Sequence, residues 1–423
     1  MLRVIETFSG IGSQAKALKN AGIEHKIINT VEWDVYATCA YDLIHNGPRD
    51  TAPYEHLTKA ELIEILAPLG LSTDGKGPAD INSLKVFSAE ALRNIYCAIR
   101  RTHNLVDITK VDGRRLPRRI DLLTYSFPCQ DLSICGSWHG NMSGINRDAN
   151  NRSGMLWEIE RVIKERHEAN MKLPKFLLME NVSNILSATH RENFQEWKDF
   201  LSKLGYENQV YTLNAMDFGT PQHRVRTYML SVFCKHKKKR KKVRAYFERH
   251  NLEHRVIREL QPLQNYLRVD YSNPIYKAEA DASNPNDTPS RTKIYNDNEV
   301  VFSTSGTYAK SVNTLTTKQD RNPCSGVLDY PCAAPGKARY RNLTPRECFM
   351  LMGFSEDDFD VVTNNDFAVN ARRNFFAAEK LIKMAGNSIV VSVLEEIFKQ
   401  ADEIDKTILS EYRIYTKDKR KER

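Results

Sequence analysis

Cys129 sits in Ser126-Phe127-Pro128-Cys129-Gln130-Asp131-Leu132-Ser133, at the end of an apolar run, Ile120–Ser126, that reads as a strand. A proline that fixes the turn before a strand-end cysteine can hold a thiol in a cleft as a nucleophile. A packed, inert thiol is the plainer reading of an isolated cysteine. Met179-Glu180-Asn181-Val182 closes a second apolar run. A carboxylate leaving such a strand into a cleft can have a raised pKa and serve as an acid or hydrogen-bond partner, the alternative being a cap for the next segment. Gln222-His223-Arg224-Val225-Arg226 leads into a third run, where period-2 spacing puts Arg224 and Arg226 on one face and His223 off it.

A fourth constellation suits a nucleoside. Phe8-Ser9-Gly10-Ile11-Gly12-Ser13 lies between a strand pattern and a helical one, and Glu32-Trp33-Asp34 ends the next strand. Glycines let backbone approach a ligand, the carboxylate can accept from ribose hydroxyls, and the ring can pack on a base. The glycine spacing is not GxGxxG, and an ordinary strand-to-helix turn is the alternative. Residues 134–153, rich in Gly, Asn and Ser with Trp138 among them, read as a lid.

The elements that must position these groups alternate. Strands are expected at Leu2–Phe8, Lys26–Val31, Ile120–Ser126, Phe176–Glu180, Glu207–Thr212 and Thr227–Phe233, separated by helical patterns. That alternation predicts an α/β fold with a doubly wound, mostly parallel sheet. Residues 50–105 read as an insertion of helices with polar faces. Residues 270–340 are loop-rich, and Asn387-Ser388 offers an N-cap for a last helix over roughly 389–412. The expected division is a catalytic domain, 1–254 completed by 380–423, and a smaller domain, 255–379, across a cleft.

The chain has 423 residues, enough for two domains. No run of 18 apolar residues predicts a membrane span, and no leader precedes the first strand, so a cytoplasmic protein is expected. Its eight cysteines form no CxxC pair and no zinc spacing, which suits free thiols and no metal. The formal charge of +9 is concentrated in 235–244 and 417–423, leaving the remainder slightly acidic. A localised basic run suits contact with a polyanion, or else a solvated loop.

Phe8-x-Gly10-x-Gly12, Glu32-Trp33, Pro128-Cys129-Gln130, Glu180-Asn181-Val182, Gln222-x-Arg224-x-Arg226, Arg341-x-Leu343-x-Pro345-Arg346-Glu347 and Gly386-Asn387-Ser388 occur in that order. Together they resemble the DNA (cytosine-5) methyltransferases over nearly the whole chain, most of all the prokaryotic branch that contains the CpG-specific enzymes. The resemblance implies a Rossmann-like catalytic domain holding S-adenosylmethionine through Phe8, Gly10, Ile11, Gly12, Glu32, Trp33, Asp107, Ile108, Pro128, Leu156, Asn387 and Ser388. It implies Cys129 as nucleophile after Pro128, with Glu180, Arg224 and Arg226 holding a cytosine flipped out of duplex DNA. It places Gln130, Ser133, Ser303, Ser305, Thr314, Leu315 and Thr316 toward DNA and has Arg341–Glu347 support the recognition domain. A monomer is expected, associated with the nucleoid through DNA, with a cognate restriction endonuclease as a functional partner. The loop after Cys129 and the basic run depart from the family pattern, and the run is expected to add phosphate contacts.

Relatives that modify tRNA share these motifs but lack a sizeable recognition domain, so the stretch 270–340 favours DNA. A DNA-binding regulator without activity is disfavoured by the presence of Cys129, Glu180 and both arginines. An amino-group methyltransferase would carry a Pro-Pro-aromatic turn in place of Phe127-Pro128-Cys129, and a nicotinamide dehydrogenase a different glycine spacing.

Overall fold

The computed structural model describes residues 1–128, 145, 147, 152–320 and 325–410. Cys129, Gln130, Ser133 and the segment 417–423 lie outside the described residues. The central sheet contains β1 (Leu2–Thr7), β2 (His25–Val31), β3 (Leu122–Tyr125), β4 (Phe176–Val182), β5 (Tyr206–Asn214) and β7 (Val225–Phe233). Their order is β2-β1-β3-β4-β7-β5. β1 to β4 are parallel, and β7 is antiparallel to both β4 and β5. β7 alone is therefore reversed. The strands expected from the sequence differ from these only at their ends.

Alternation along the strands sets the two layers. Val4, Leu122 and Leu178 face a core shared with the helices Ser13–Asn20, Val35–Asn46 and Val391–Ile404. Ile5, Leu123, Leu177 and Met179 face the other, built with Leu156–Glu168 and Arg191–Leu204. Successive side chains point to opposite faces, so an apolar run such as Leu122-Leu123 must be covered on both. The helix Val391–Ile404 packs on Ser13–Asn20, bringing the late chain back to its start.

The 50–105 insertion is helical, chiefly Lys59–Leu66, Ile81–Lys85 and Ala89–Arg101. The first of these opens on a reciprocal capping box between Thr58 and Glu61. Two-residue β6 (Gln222–His223) leaves the main sheet to pair with β9 (Val312–Asn313). A small sheet of β8 (Val300–Phe302), β10 (Val327–Asp329) and β11 (Tyr340–Arg341) buries Val327, Ala338 and Tyr340 against Ile294 and Tyr295, while its Val301 and Leu328 join the large core. The helices Pro345–Leu351 and Glu356–Thr363, which the sequence reading grouped with that unit, pack instead on Ala378–Asn387 and Val35–Asn46. Phe349, Phe359 and Val362 are buried in the large core.

Arg341 and Glu347 form a fully buried bidentate pair, at 2.7 and 2.8 Å. Glu347 also takes the amides of Thr344 at 2.8 Å and Arg268 at 2.7 Å. Removing one partner strands the other charge, so Glu347→Ala is expected to cost about 3–5 kcal/mol, read from the denaturation midpoint. A loss below about 1 kcal/mol would put the pair's worth at that of an exposed one.

One expectation is corrected here. Asn387 ends the helix Ala378–Asn387 and does not begin the next one. Ser388 Oγ donates to Met384 O at 2.8 Å, which commits the hydroxyl to the preceding helix. The last helix starts at Val391 without a side-chain cap. No helix among the described residues is long and apolar enough to cross a membrane.

Candidate active site

Strand ends build the site. β1 ends in the Phe8–Gly12 turn, where Phe8 has φ +54° and Gly12 φ +83°. A Cβ on Gly12 would run into His45 and Tyr41, so glycine there lets the turn close on the helix Val35–Asn46. Gly10 N–H donates to Glu32 Oε2 at 2.9 Å and Asp34 N–H to Glu32 Oε1 at 2.9 Å. Burial pushes the Glu32 carboxyl up to about 7, assisted by the Asp34 charge and opposed by those two amides.

Asn104, a residue sequence reasoning missed, holds this wall. Its Oδ1 accepts from Glu32 N–H at 3.0 Å and from Val106 N–H at 2.9 Å, and its Nδ2 donates to Glu32 O at 2.8 Å. Val106 has φ +63°, an outlier for a β-branched residue, and stands beside Asp107. Asp107 accepts from Thr109 N–H and Oγ1–H at 3.0 and 2.7 Å, which orients it at the cavity rim. Neither interaction has a sequence signal, because an Asn in a loop reads only as turn chemistry.

These groups open onto a cavity of about 350 Å³, within the range of small-molecule sites. The ends of β1 and β2 bring Phe8, Gly10, Glu32 and Trp33 to its lining, with Asp107 and Ile108, and the ends of β3 and β4 and the start of β7 bring Pro128, Glu180 and Arg226; Arg224 and Asn387 line it as neighbours. Ile11 and Leu156 are buried and, like Gly12 and Ser388, stand behind the wall. Gly75 and Pro78 of the insertion also line it. Lys383 Nζ ties that loop down, reaching Asp34 Oδ2 at 3.1 Å and Asp74 O at 2.9 Å.

The second group is set by β3, β4 and β7. Asn181, buried, donates to Phe127 O at 3.1 Å and fixes the peptide leading into Pro128. Arg226 Nε lies 3.6 Å from Glu180 Oε1. Burial raises the Glu180 pKa, while Arg226 and Arg224 pull it down. A carboxyl balanced in this way can be protonated and donate a hydrogen bond. Arg224 lies in the break between β6 and β7. It donates to Leu315 O at 2.9 Å, Gly386 O at 3.1 Å and Ser388 O at 2.9 Å, so it also joins three segments of backbone.

Of the residues expected to face DNA, Ser305 is exposed and Ser303 half-buried, in a turn closed by Gly306 N–H to Ser303 O at 2.9 Å. Thr314 gives its hydroxyl to His223 O at 2.7 Å and Thr316 to Lys318 O at 2.7 Å. Leu315 departs from the expectation: its side chain is buried and its N–H is taken by Gln222 Oε1 at 3.0 Å. Gly386 makes the adjoining contact possible, since a Cβ there would meet Thr316 C and O at 2.5 Å. Gly386→Ala gains about 1 kcal/mol of helix propensity but overpacks by about 1–3 kcal/mol. Net loss of thermal stability, with weaker DNA binding as the Thr316 segment shifts, is the expected result of melting and band-shift assays.

The sheet with one reversed strand thus brings the carboxylates Glu32 and Asp107 and the Glu180–Arg226 pair to one cavity that Pro128 also lines. A family model for the C-5 cytosine-specific DNA methylases matches residues 84–403. The chain belongs to that family. It is 33% identical to an orphan methyltransferase, M.SssI, from Spiroplasma monobiae, over 94% of this chain and 96% of the relative. It is 31% identical to the type II methyltransferase M2.ScrFI from Lactococcus lactis subsp. cremoris, over 95% and 99%. Among solved structures, the Dnmt2 methyltransferase of S. pombe superposes with a TM-score of 0.56 at 18% identity, covering 96% of this chain and 100% of that one, a likeness of fold. The activity of this family is cytosine-5 methylation of DNA by an S-adenosylmethionine-dependent methyltransferase.

Proposed function

We propose that this methylase acts on a cytosine extruded from duplex DNA, with Cys129 as nucleophile, as a restriction-modification or solitary methylase. The observation that carries the reading is the single cavity lined by Glu32, Trp33 and Asp107, by Glu180 and Arg226, and by Pro128. The residues fit S-adenosylmethionine: Glu32 for the ribose hydroxyls, Trp33 against the base, Asp107 toward an amino group, and Phe8, Gly10 and Asn387 around them. When bound, it supplies the methyl group from its sulfonium.

The chain's own residues do the rest. Cytosine C5 is a poor nucleophile, and thiolate addition to C6 breaks the ring's aromaticity and places electron density on C5. Protonated Glu180 hydrogen-bonds N3 and stabilises that density, while Arg226 keeps the carboxyl in place and favours a thiolate nearby. Loss of the C5 proton then expels the thiolate. A stacked base cannot reach such a cavity, so the substrate must be flipped. We propose that the β8-β10-β11 unit and its 303–307 turn read the site, and that a restriction endonuclease would share the site and need not touch the chain.

The test is methyl transfer to duplex DNA and, separately, to tRNA, followed by bisulfite sequencing of DNA from cells expressing the protein. Recurrent protection of cytosines in one sequence context supports the proposal. Transfer to tRNA alone would replace DNA by RNA as the substrate.

A further inference from the structure

The two ends of the sheet carry different chemistry. Residues at the ends of β3 and β4 and at the start of β7 (Pro128, Glu180, Arg226) line the active-site cavity. Residues just before β3 and β4 and just after β7 line a second cavity, of about 720 Å³, at the opposite edge. Arg119, Lys172, Lys175, Lys235 and Arg240 face it together with His167. Asp121, the one carboxylate in its lining, pairs with Arg119 Nε at 3.1 Å and Lys175 Nζ at 3.7 Å, and Lys175 is held more closely by Asp405 at 2.6 Å, so the charge left to the cavity comes from Lys172, Lys235 and Arg240.

The basic run continues this surface. It folds as the helix Lys237–Arg249, seated by Val243, Tyr246 and Phe247, and is not a solvated loop. Arg244 is engaged by Glu207 at 2.8 Å. Lys235, Lys237, Lys238 and Lys241 are exposed and make no ion pair among the described residues. The helix runs on from the far end of β7. Arg226 and Phe233 are seven residues apart on that strand, roughly 23 Å at about 3.3 Å per residue. The helix thus starts well beyond one Debye length, about 8 Å at physiological salt, from Arg226.

We infer that this pole is a second nucleic-acid site, which takes the sugar-phosphate backbone of another DNA duplex while the active-site cleft holds the target. A concave cationic cavity flanked by a row of exposed lysines matches regularly spaced phosphates and reads no sequence. Two duplexes on one molecule would let the enzyme pass between DNA segments without dissociating. The inference rests on the DNA reading above for the first duplex only.

The test uses the full-length protein with its cleft blocked by covalent trapping on a short 5-fluorocytosine duplex. A fluorescent duplex of A·T pairs alone, which offers no cytosine, is then titrated in. The parent complex is expected to bind it with strong salt dependence. Lys235→Glu/Lys237→Glu/Lys238→Glu/Lys241→Glu is expected to bind it at least tenfold more weakly, with the salt slope reduced by about 3–4, and to trap the first duplex at the parental rate. Lys172→Glu, on the other lip of the cavity, should weaken it in the same sense. No binding of the second duplex, or equal loss of first-duplex trapping, overturns the inference; so does preference for single-stranded RNA over the A·T duplex. Should trapping itself fail, the nucleophile assignment fails separately, and sedimentation with unmodified duplex still decides: two duplexes per parent chain and one per quadruple variant, against one for both.

Discussion

Cys129→Ser is expected to abolish methyl transfer to duplex DNA, with kcat down by about 10⁴-fold or more and cofactor affinity changed by no more than a few-fold. A hydroxyl in place of the thiol supplies almost no anion near neutral pH, whereas a thiol of ordinary pKa about 8.5 supplies several per cent. Asn181 fixes the Phe127 carbonyl, and Pro128, the residue before Cys129 in the chain, lines the cavity with Glu180 and Arg226. The described cysteines offer no substitute. Burial pushes the Cys39 thiol up to about 12 and that of Cys234 to about 11, and those of Cys97 and Cys348 are raised as well. Cys332, the exposed one, is absent from the cavity lining. Single-turnover transfer of a radiolabelled methyl group checks the prediction, and parental rates in the serine variant would place the nucleophile elsewhere.

Glu180→Gln is expected to lower kcat by about 10²–10³-fold, since the amide can still donate to N3 but cannot transfer a proton. Glu180→Ala, which removes the donor too, should lose more. The pH profile separates this role from a structural one. Burial raises the Glu180 pKa above the ordinary carboxyl value, with Arg226 and Arg224 opposing. The active, protonated form is therefore held below the folded pKa and lost as pH rises through it, while the thiolate is lost as pH falls. The parent should give a bell, and Glu180→Gln a slow enzyme without the alkaline decline. An unchanged alkaline limb would assign that limb to another group.

Much of this arrangement is legible in the residues. The six sheet strands follow from short apolar runs bounded by turn residues, because burial on both faces leaves few other places for Leu122-Leu123 or Phe176–Met179. Motif residues at strand ends converge because a doubly wound sheet gathers those ends at one edge. What the sequence hid are contacts made across long separations. Asn104 steadies Glu32 from 72 residues away, and Lys383 reaches Asp34 from 349. Nothing local marks either residue. Asn387-Ser388 misled because a Ser side chain can cap forward or bond backward, and the Met384 carbonyl was nearer. Thr314 and Leu315 were expected toward DNA, yet Leu315 is spent on the core and its backbone on Gln222 and Arg224. The helices Pro345–Leu351 and Glu356–Thr363 were grouped with 255–379, yet pack on Ala378–Asn387 and Val35–Asn46, because a helical pattern says that a face is buried and not against what.

The most direct test of the central claim is mass spectrometry of the denatured protein after incubation with a 5-fluorocytosine duplex and S-adenosylmethionine. Fluorine at C5 leaves no proton to remove, so the thioether cannot be expelled. The account predicts a one-to-one adduct that carries the transferred methyl group and maps to the peptide containing Cys129. An adduct on another residue would contradict it, as would none at all while ordinary duplex is methylated.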